Sequence, residues 1–327
     1  MKSWPCNLVA GTLLLISGAC NVCVAQVPEF YYTAETESML RLQVFLDRAG
    51  YGPGKIDGKG GLFTQTAREI YERVHGPVPR QEPEVDATTA SVGPEGSSAL
   101  THYVVTKEDA ALVGDVPAKP EDQAEREWLP YASLVEAVAE KFHCDEKFFR
   151  QLNGGKTDAL KEGDEVLVPK VEPFDVNTVK TFAPGHAMPE GQGKTLVRVL
   201  SSNNMLEVVQ GDKIAAAFPV TIGSTETGTP TGIWTIEGME RFPKFRRDEK
   251  MLKEGERSGK FLMIPPGPNN DVGVIWIELD RKGLGIHGTK APDSIGRADS
   301  HGCIRLANWD VLRLAGLVKA GVKVEVK

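Results

Sequence analysis

The sequence predicts a multidomain α+β protein: a small helical block, a block of order strand–helix–helix–strand, and a strand-rich C-terminal block. Three patterns predict it. Apolar residues recur at helical spacing on both sides of a glycine- and proline-rich turn near residue 50. Two short alternating runs near 102 and 166 bracket a helical pattern. From residue 194 onward, alternating runs and turn signals follow one another until a single terminal helix. The length of 327 residues suits two or three domains rather than one.

The first block opens with Ser38–Leu46, whose apolar positions share one helical face. It stops at Ala49-Gly50-Tyr51-Gly52-Pro53-Gly54, where three glycines and a proline form a helix stop and a turn. Ile56-Asp57-Gly58 then leads to a second helix through Thr66–Tyr71, with Thr64 placed to cap it. Residues 76–99 are rich in proline, glutamate and serine without apolar period, and are expected as an extended linker.

The middle block, 101–170, has strands at His102–Val105 and Glu165–Pro169, a helix carrying Leu134, Val135, Val138 and Phe142, and a second helix around Phe148-Phe149 and Leu152. An insertion from Thr106 to about Trp128 follows the first strand. Residues 171–193, with Pro173, Pro184 and Pro189, read as another joint, and His186 in it as solvated.

In the last block, 194–327, Leu196–Leu200, Met205–Val209 and Ile214–Val220 form a meander, with turns at Ser202–Asn204 and Gly211-Asp212. Ile233–Ile236 and Val274–Leu279 are further strands, and Asp310–Val318 is a helix. Between those strands, Arg241–Gly259 gathers Arg241, Lys244, Arg246, Arg247 and Lys250. It reads either as a solvated surface insertion or as a lid that meets the carboxylates of an anionic substrate.

A net charge of −7 and a pI near 5.5 argue against a nucleic-acid partner, which requires a dense positive field. At the N-terminus, Lys2, the apolar run Leu8–Ile16 and the small residues Cys23-Val24-Ala25 have the layout of a signal peptide spanning 1–25, and hence of an exported protein. Two other readings stay open: an uncleaved membrane anchor, and lipidation at Cys20 after Ser17-Gly18-Ala19. Cleavage would leave Cys144 and Cys303 as the mature cysteines. Both are expected as thiols, Cys144 as a small buried hydrophobe.

Chemistry concentrates in Ser300-His301-Gly302-Cys303-Ile304-Arg305 and Gly285-Ile286-His287-Gly288-Thr289. The thiolate is the nucleophile, and a cysteine needs a neighbouring base to reach it at neutral pH. Either nearby histidine meets that need, and Gly302 lets the backbone turn its N–H groups toward a developing oxyanion. His287, His301 and Cys303 also make a conceivable zinc set, but their spacing matches no standard pattern. A non-enzymatic adaptor is the other rival class.

Three segments carry family resemblances. "LQVFLDRAGYGPGKIDGKGGLFTQTA" places 34–75 close to the peptidoglycan-binding domain of bacterial wall hydrolases. "YVV…LVEAVAEKFHCDEKFFRQLN…LKEGDEVLVP" resembles the lysin motif, LysM, without that family's usual turn after the first strand. "TPTG" and "IHGTKAPDSIGRADSHGCIRL" resemble the catalytic domain of L,D-transpeptidases, the cysteine enzymes that cross-link or trim peptidoglycan.

The last resemblance implies Cys303 as nucleophile and His287 as general base, with the Gly288 carbonyl orienting the imidazole. It implies an oxyanion hole at the N–H groups near Gly302 and Cys303. Ser300, His301, Arg305 and Thr289 take supporting or substrate-binding roles. No metal or organic cofactor is implied. The implied partners are peptidoglycan stem peptides and glycan strands, and a wall-anchored protein as a possible acceptor; the implied place is the periplasm or cell wall.

Overall fold

The computed structural model describes residues 32–79, 91–92, 97–183, 194–223, 229–297 and 302–327. Ser300, His301, His186 and the N-terminal apolar segment lie outside the described residues. No helix among the described residues is long and apolar enough to cross a membrane.

The helical block contains β1 (Tyr32–Thr33), α1 (Ala34–Arg48), α2 (Leu62–His75) and β2 (Ser91–Val92). Thr33 caps α1, its Oγ1 accepting from the Thr36 N–H at 3.1 Å. Thr64 is not a cap: α2 begins at Leu62 with Gly61 as its N-cap, and Thr64 is buried inside the first turn beside Gln43 Nε2. Gln43 ties the Ile-Asp-Gly loop to α1, its Oε1 accepting from the N–H groups of Asp57 and Gly58 at 3.2 and 2.9 Å. The stretch expected as featureless linker contributes β2, which pairs antiparallel with β1.

The middle block runs β3 (Leu100–Val104), α3 (Lys107–Ala111), α4 (Pro120–Ala124), α5 (Leu134–Lys141), α6 (Glu146–Asn153) and β4 (Glu165–Pro169). β3 and β4 pair antiparallel, Leu100 opposite Pro169. Side-chain caps from Ser133 and Asp145 start α5 and α6. The insertion supplies α3, begun by a Thr106–Asp109 capping box, and α4. Val135, Val138, Phe149 and Val166 make the core here, and Leu40, Val44 and Ile56 of the helical block complete it. Cys144 is buried in that core, and both it and Cys303 are thiols.

The last block consists of α7 (Thr178–Thr181), β5 (Thr195–Leu200), β6 (Met205–Gln210), β7 (Lys213–Pro219), β8 (Gly232–Arg241), β9 (Phe245–Arg247), α8 (Glu249–Glu254), β10 (Leu262–Ile264), β11 (Ile275–Leu279), β12 (Gly285–His287), β13 (Ile304–Arg305), α9 (Asn308–Leu317) and β14 (Lys323–Val326). Eight strands form one sheet in the order β13-β12-β11-β8-β14-β5-β6-β7. The sheet curls until its two ends meet: Thr221, just past β7, exchanges two backbone hydrogen bonds of 2.9 Å with Arg305 of β13.

Val197, Val208, Phe218, Ile277, Ile286 and Ile304 line the inside of the curl, and α9 closes it with Trp309, Val311 and Leu314. Phe174, Val176 and Val179 are buried in the same core, so the first part of the expected joint 171–193 belongs to the packing of this block.

The blocks do not hang apart on linkers. Tyr51 bridges to Ala217 of β7, with Gly52 N–H donating to the Ala217 carbonyl at 2.7 Å, so the helical block covers that outer strand. All three blocks meet at Asp47: Arg313 of α9 donates to both its oxygens at 2.8 and 3.1 Å, and His143 Nδ1 lies 2.9 Å from Oδ2. His143 also stacks on Trp309 with ring centroids 5.1 Å apart. Burial by itself raises the pKa of Asp47, but His143 and Arg313 outweigh it and hold the carboxyl well below the usual carboxylate range.

Candidate active site

The parallel pairing of β12 with β13 assembles the site. It sets Ile286 opposite Ile304 and His287 opposite Arg305. Ile286 and Ile304 are fully buried in the core, so strand alternation turns His287 and Arg305 to the other face. Cys303, two residues before Arg305, shares that face. His287, Thr289, Cys303 and Arg305 all line one cavity of about 660 Å³.

His287 is held by a hydrogen bond and a ring stack. Its Nδ1 lies 2.7 Å from the Gly288 carbonyl oxygen, which only accepts, so Nδ1 carries the proton and Nε2 keeps its lone pair. The Trp276 indole of β11 stacks on the ring with centroids 5.3 Å apart and planes 15° apart. The residue is only 5% exposed. Burial first, and the Arg305 charge second, push the imidazole down to about 4, against the Gly288 hydrogen bond and the Asp271 charge. At neutral pH His287 is therefore an uncharged base.

The Cys303 thiol donates to the Gly283 carbonyl at 3.4 Å. Burial raises its pKa, and the Arg305 charge works in the opposite direction. The resting pair is thus a neutral thiol and a neutral imidazole, which fits a base that takes the proton as the sulfur attacks. Gly302 has φ +104°, a backbone setting that a residue with Cβ rarely adopts. Gly288 is required for space, because a Cβ there would stand 2.2 Å from Asn308 Oδ1.

Thr289 is buried, and its Oγ1 accepts from the Ala291 N–H at 3.2 Å, which fixes the turn after the histidine. Arg305 is clamped through its backbone by Thr221. Ser300 and His301 fall outside the described residues, so of the conceivable zinc set only His287 and Cys303 are described.

Several residues of the site have no mark in the sequence motifs. Asp271 bonds Lys290 at 2.7 Å and Arg247 at 3.2 Å, joining the floor of the cavity to β9. Asn308 supports the Gly273–Gly288 crossing, its Oδ1 accepting from the Val274 N–H at 3.2 Å, while its Nδ2 donates to Glu140 of the middle block at 3.0 Å. Trp276 had a weak signal, as an aromatic at an outward position of an otherwise aliphatic strand.

Of the two readings of Arg241–Gly259, the geometry favours the lid. β9 and β10 form an antiparallel ribbon, α8 lies between them, and Arg246, Arg247, Met251, Leu252 and Arg257 all face the cavity that holds Cys303. Asp248 fixes the fold of this segment by accepting from the Ser258 N–H and hydroxyl at 2.7 and 2.8 Å. Two members of the basic cluster point elsewhere: Arg241 donates to the carbonyls of Lys180 and Phe182, and Lys250 pairs with Glu256.

The family model of the YkuD L,D-transpeptidase catalytic domain matches residues 194–326. The chain is 26% identical over 196 residues to the putative L,D-transpeptidase YkuD of Bacillus licheniformis, covering 59% of this chain and 92% of that protein. It is 31% identical over 137 residues to the putative L,D-transpeptidase YqjB of Bacillus subtilis, covering 40% of this chain and 70% of that protein. Among solved structures, an L,D-transpeptidase from Mycobacterium smegmatis shares 17% identity at a TM-score of 0.34, over 51% of this chain and 74% of that one. The chain belongs to the L,D-transpeptidase family, and its YkuD catalytic domain is the curled sheet that carries His287 and Cys303.

Proposed function

We propose that this enzyme acts on peptidoglycan tetrapeptide stems through a thioester at Cys303. The observation that carries the reading is His287, uncharged and locked through Nδ1, on the same cavity wall as Cys303. Its Nε2 takes the thiol proton as Sγ attacks the carbonyl of the third, diamino-acid residue of the stem. The N–H groups near Gly302 and Cys303 receive the oxyanion. The terminal D-alanine leaves as an amine, taking the proton back from His287, and the stem remains as a thioester. An acceptor amine then attacks; it gives its proton to His287, which returns it to the departing sulfur.

The cations of the lid support an anionic substrate, because Lys244, Arg246, Arg247 and Arg257 all border the cavity. The acceptor is an amine of a second stem or of a wall-anchored protein; with water in its place the same site is an L,D-carboxypeptidase. We read the helical block as a peptidoglycan-binding module and the middle block as a LysM-like module, which together hold the enzyme on the wall of the cell that exports it.

The test incubates the full chain and its Cys303→Ala variant with disaccharide-tetrapeptides and resolves the products by mass spectrometry. The native enzyme is expected to release D-alanine and form dimers joined through two diamino acids, D-alanine-exchanged stems, or protein adducts, and the variant none of these. Native enzyme that leaves the tetrapeptides unchanged would overturn the reading.

A further inference from the structure

A second cavity, of about 500 Å³, lies where the three blocks meet, which is within the size range of small-ligand sites. The helical block contributes Pro53–Lys55, Asp57, Lys59 and Gly61–Thr64; α6 contributes Lys147; the catalytic domain contributes Arg297, Trp309 and Asp310. It shares one wall with the cavity of Cys303. Ala291 and Ser294 face the cysteine side, while Pro292, Asp293 and Ile295–Arg297 face this one.

Two observations point to a ligand. First, Asp310 is 2% exposed, yet its Oδ1 has no hydrogen-bond partner among the described residues. Among the described residues the nearest cation is Arg313, 3.9 Å from that oxygen and already occupied by Asp47. Burial, countered by Arg313, raises the Asp310 carboxyl to about 8. A buried carboxyl left in this state is costly, and an incoming N–H donor or ammonium relieves the cost. Second, Lys59, Lys147 and Arg297 border the cavity, are exposed, and form no ion pair among the described residues, whereas Lys55 is already neutralised by Asp145 and Asp293. Uncompensated cations at the rim and an orphaned carboxyl inside call for a ligand with carboxylates and an ammonium group. The walls between them, Phe63 and Trp309, suit its aliphatic parts.

We infer that this cavity is a second binding site, which holds a peptide stem carrying both carboxylates and a side-chain amine without reacting with it. The choice of a wall stem as that peptide rests on the function proposed above. Lys59, Lys147 and Arg297 receive its carboxylates, and its amine reaches Asp310.

The test titrates the full-length Cys303→Ala protein by calorimetry with a synthetic stem tetrapeptide whose third residue is a diamino acid, and with the same peptide acetylated on the side-chain amine. The free-amine peptide is expected to bind in two events. Lys59→Glu combined with Lys147→Glu, both exposed positions, weakens one event at least tenfold and leaves the other unchanged; Arg297→Ala weakens the same event. Acetylation weakens that event as well.

A single event, or two events that neither the charge reversals nor Arg297→Ala move, would overturn the inference, and so would an acetylated peptide bound equally well. D-Alanine release by the native enzyme from the same peptide separates the two readings. Release with only one binding event leaves the function standing and removes the second site. Two events with the expected sensitivities but no release keep the site and remove the function.

Discussion

Trp276→Ala tests whether the reactivity of the site depends on keeping water from His287. The indole covers one face of the imidazole at 5.3 Å, and burial is the main reason that the ring is pushed from 6.5 down to about 4. At about 1.4 kcal/mol per pKa unit, that shift disfavours the imidazolium by roughly 3 kcal/mol. Opening one face to solvent should return about a third of this, or about one pH unit.

The assay is the pH profile of kcat/KM for D-alanine release, with the rate of Cys303 alkylation by iodoacetamide as a second readout. The sign follows from the role of the base: activity is lost as pH falls through the His287 pKa, because the imidazolium no longer accepts the thiol proton. The native acid limb is expected near pH 4, and that of the variant about one unit higher. A native limb at the ordinary histidine value, or a variant limb that does not move, would refute the argument that burial sets this base.

Two further predictions concern what holds the site. Asp47→Asn should destabilise the full chain by about 3–5 kcal/mol in urea unfolding, since it leaves Arg313 facing a neutral partner in a buried setting. Because the native pKa of Asp47 lies below its unfolded value of about 3.9, its contribution is present above that pH and fades as pH falls through the native pKa; equal stability of the two proteins at pH 7 would count against it. Gly288→Ala should reduce kcat at least a hundredfold, because the added carbon meets Asn308 Oδ1 at 2.2 Å and displaces the carbonyl that orients His287; steady-state kinetics beside a thermal melt check this, and an active, well-folded variant contradicts it.

The chemistry of the site was legible where neighbours in sequence are neighbours in space. His287 and Gly288 form one hydrogen bond between adjacent residues, and Gly302 and Cys303 form one turn. What the motifs could not show comes from distant segments. Asn308 and Glu140 meet across 168 positions, and Trp276 reaches His287 only through the β11–β12 register.

Five strands of the curled sheet, β5, β6, β7, β8 and β11, were readable from their apolar or alternating runs, whereas β12, β13 and β14, two to four residues long, are too short to show a period. Phe174, Val176 and Val179 were not, since a short apolar set among prolines matches neither helix nor strand period. Thr64 misled because a threonine before a helical pattern suits a cap, while the helix starts two residues earlier and uses the hydroxyl for packing against Gln43. The close assembly of the three blocks also had no sequence signature, because the contacts that make it, such as Asp47 with Arg313, involve residue types common on any surface.

The bridge between Tyr51 and Ala217 has a practical side. A fragment trimmed to the catalytic domain at Lys194 would lose Phe174, Val176 and Val179 from its interior and uncover the outer strand β7, whose bare N–H and C=O groups invite pairing between molecules. The helical block is thus a built-in solubility partner for the catalytic sheet, and shortened versions of the enzyme stay monodisperse only if they keep it or blunt β7 with charge.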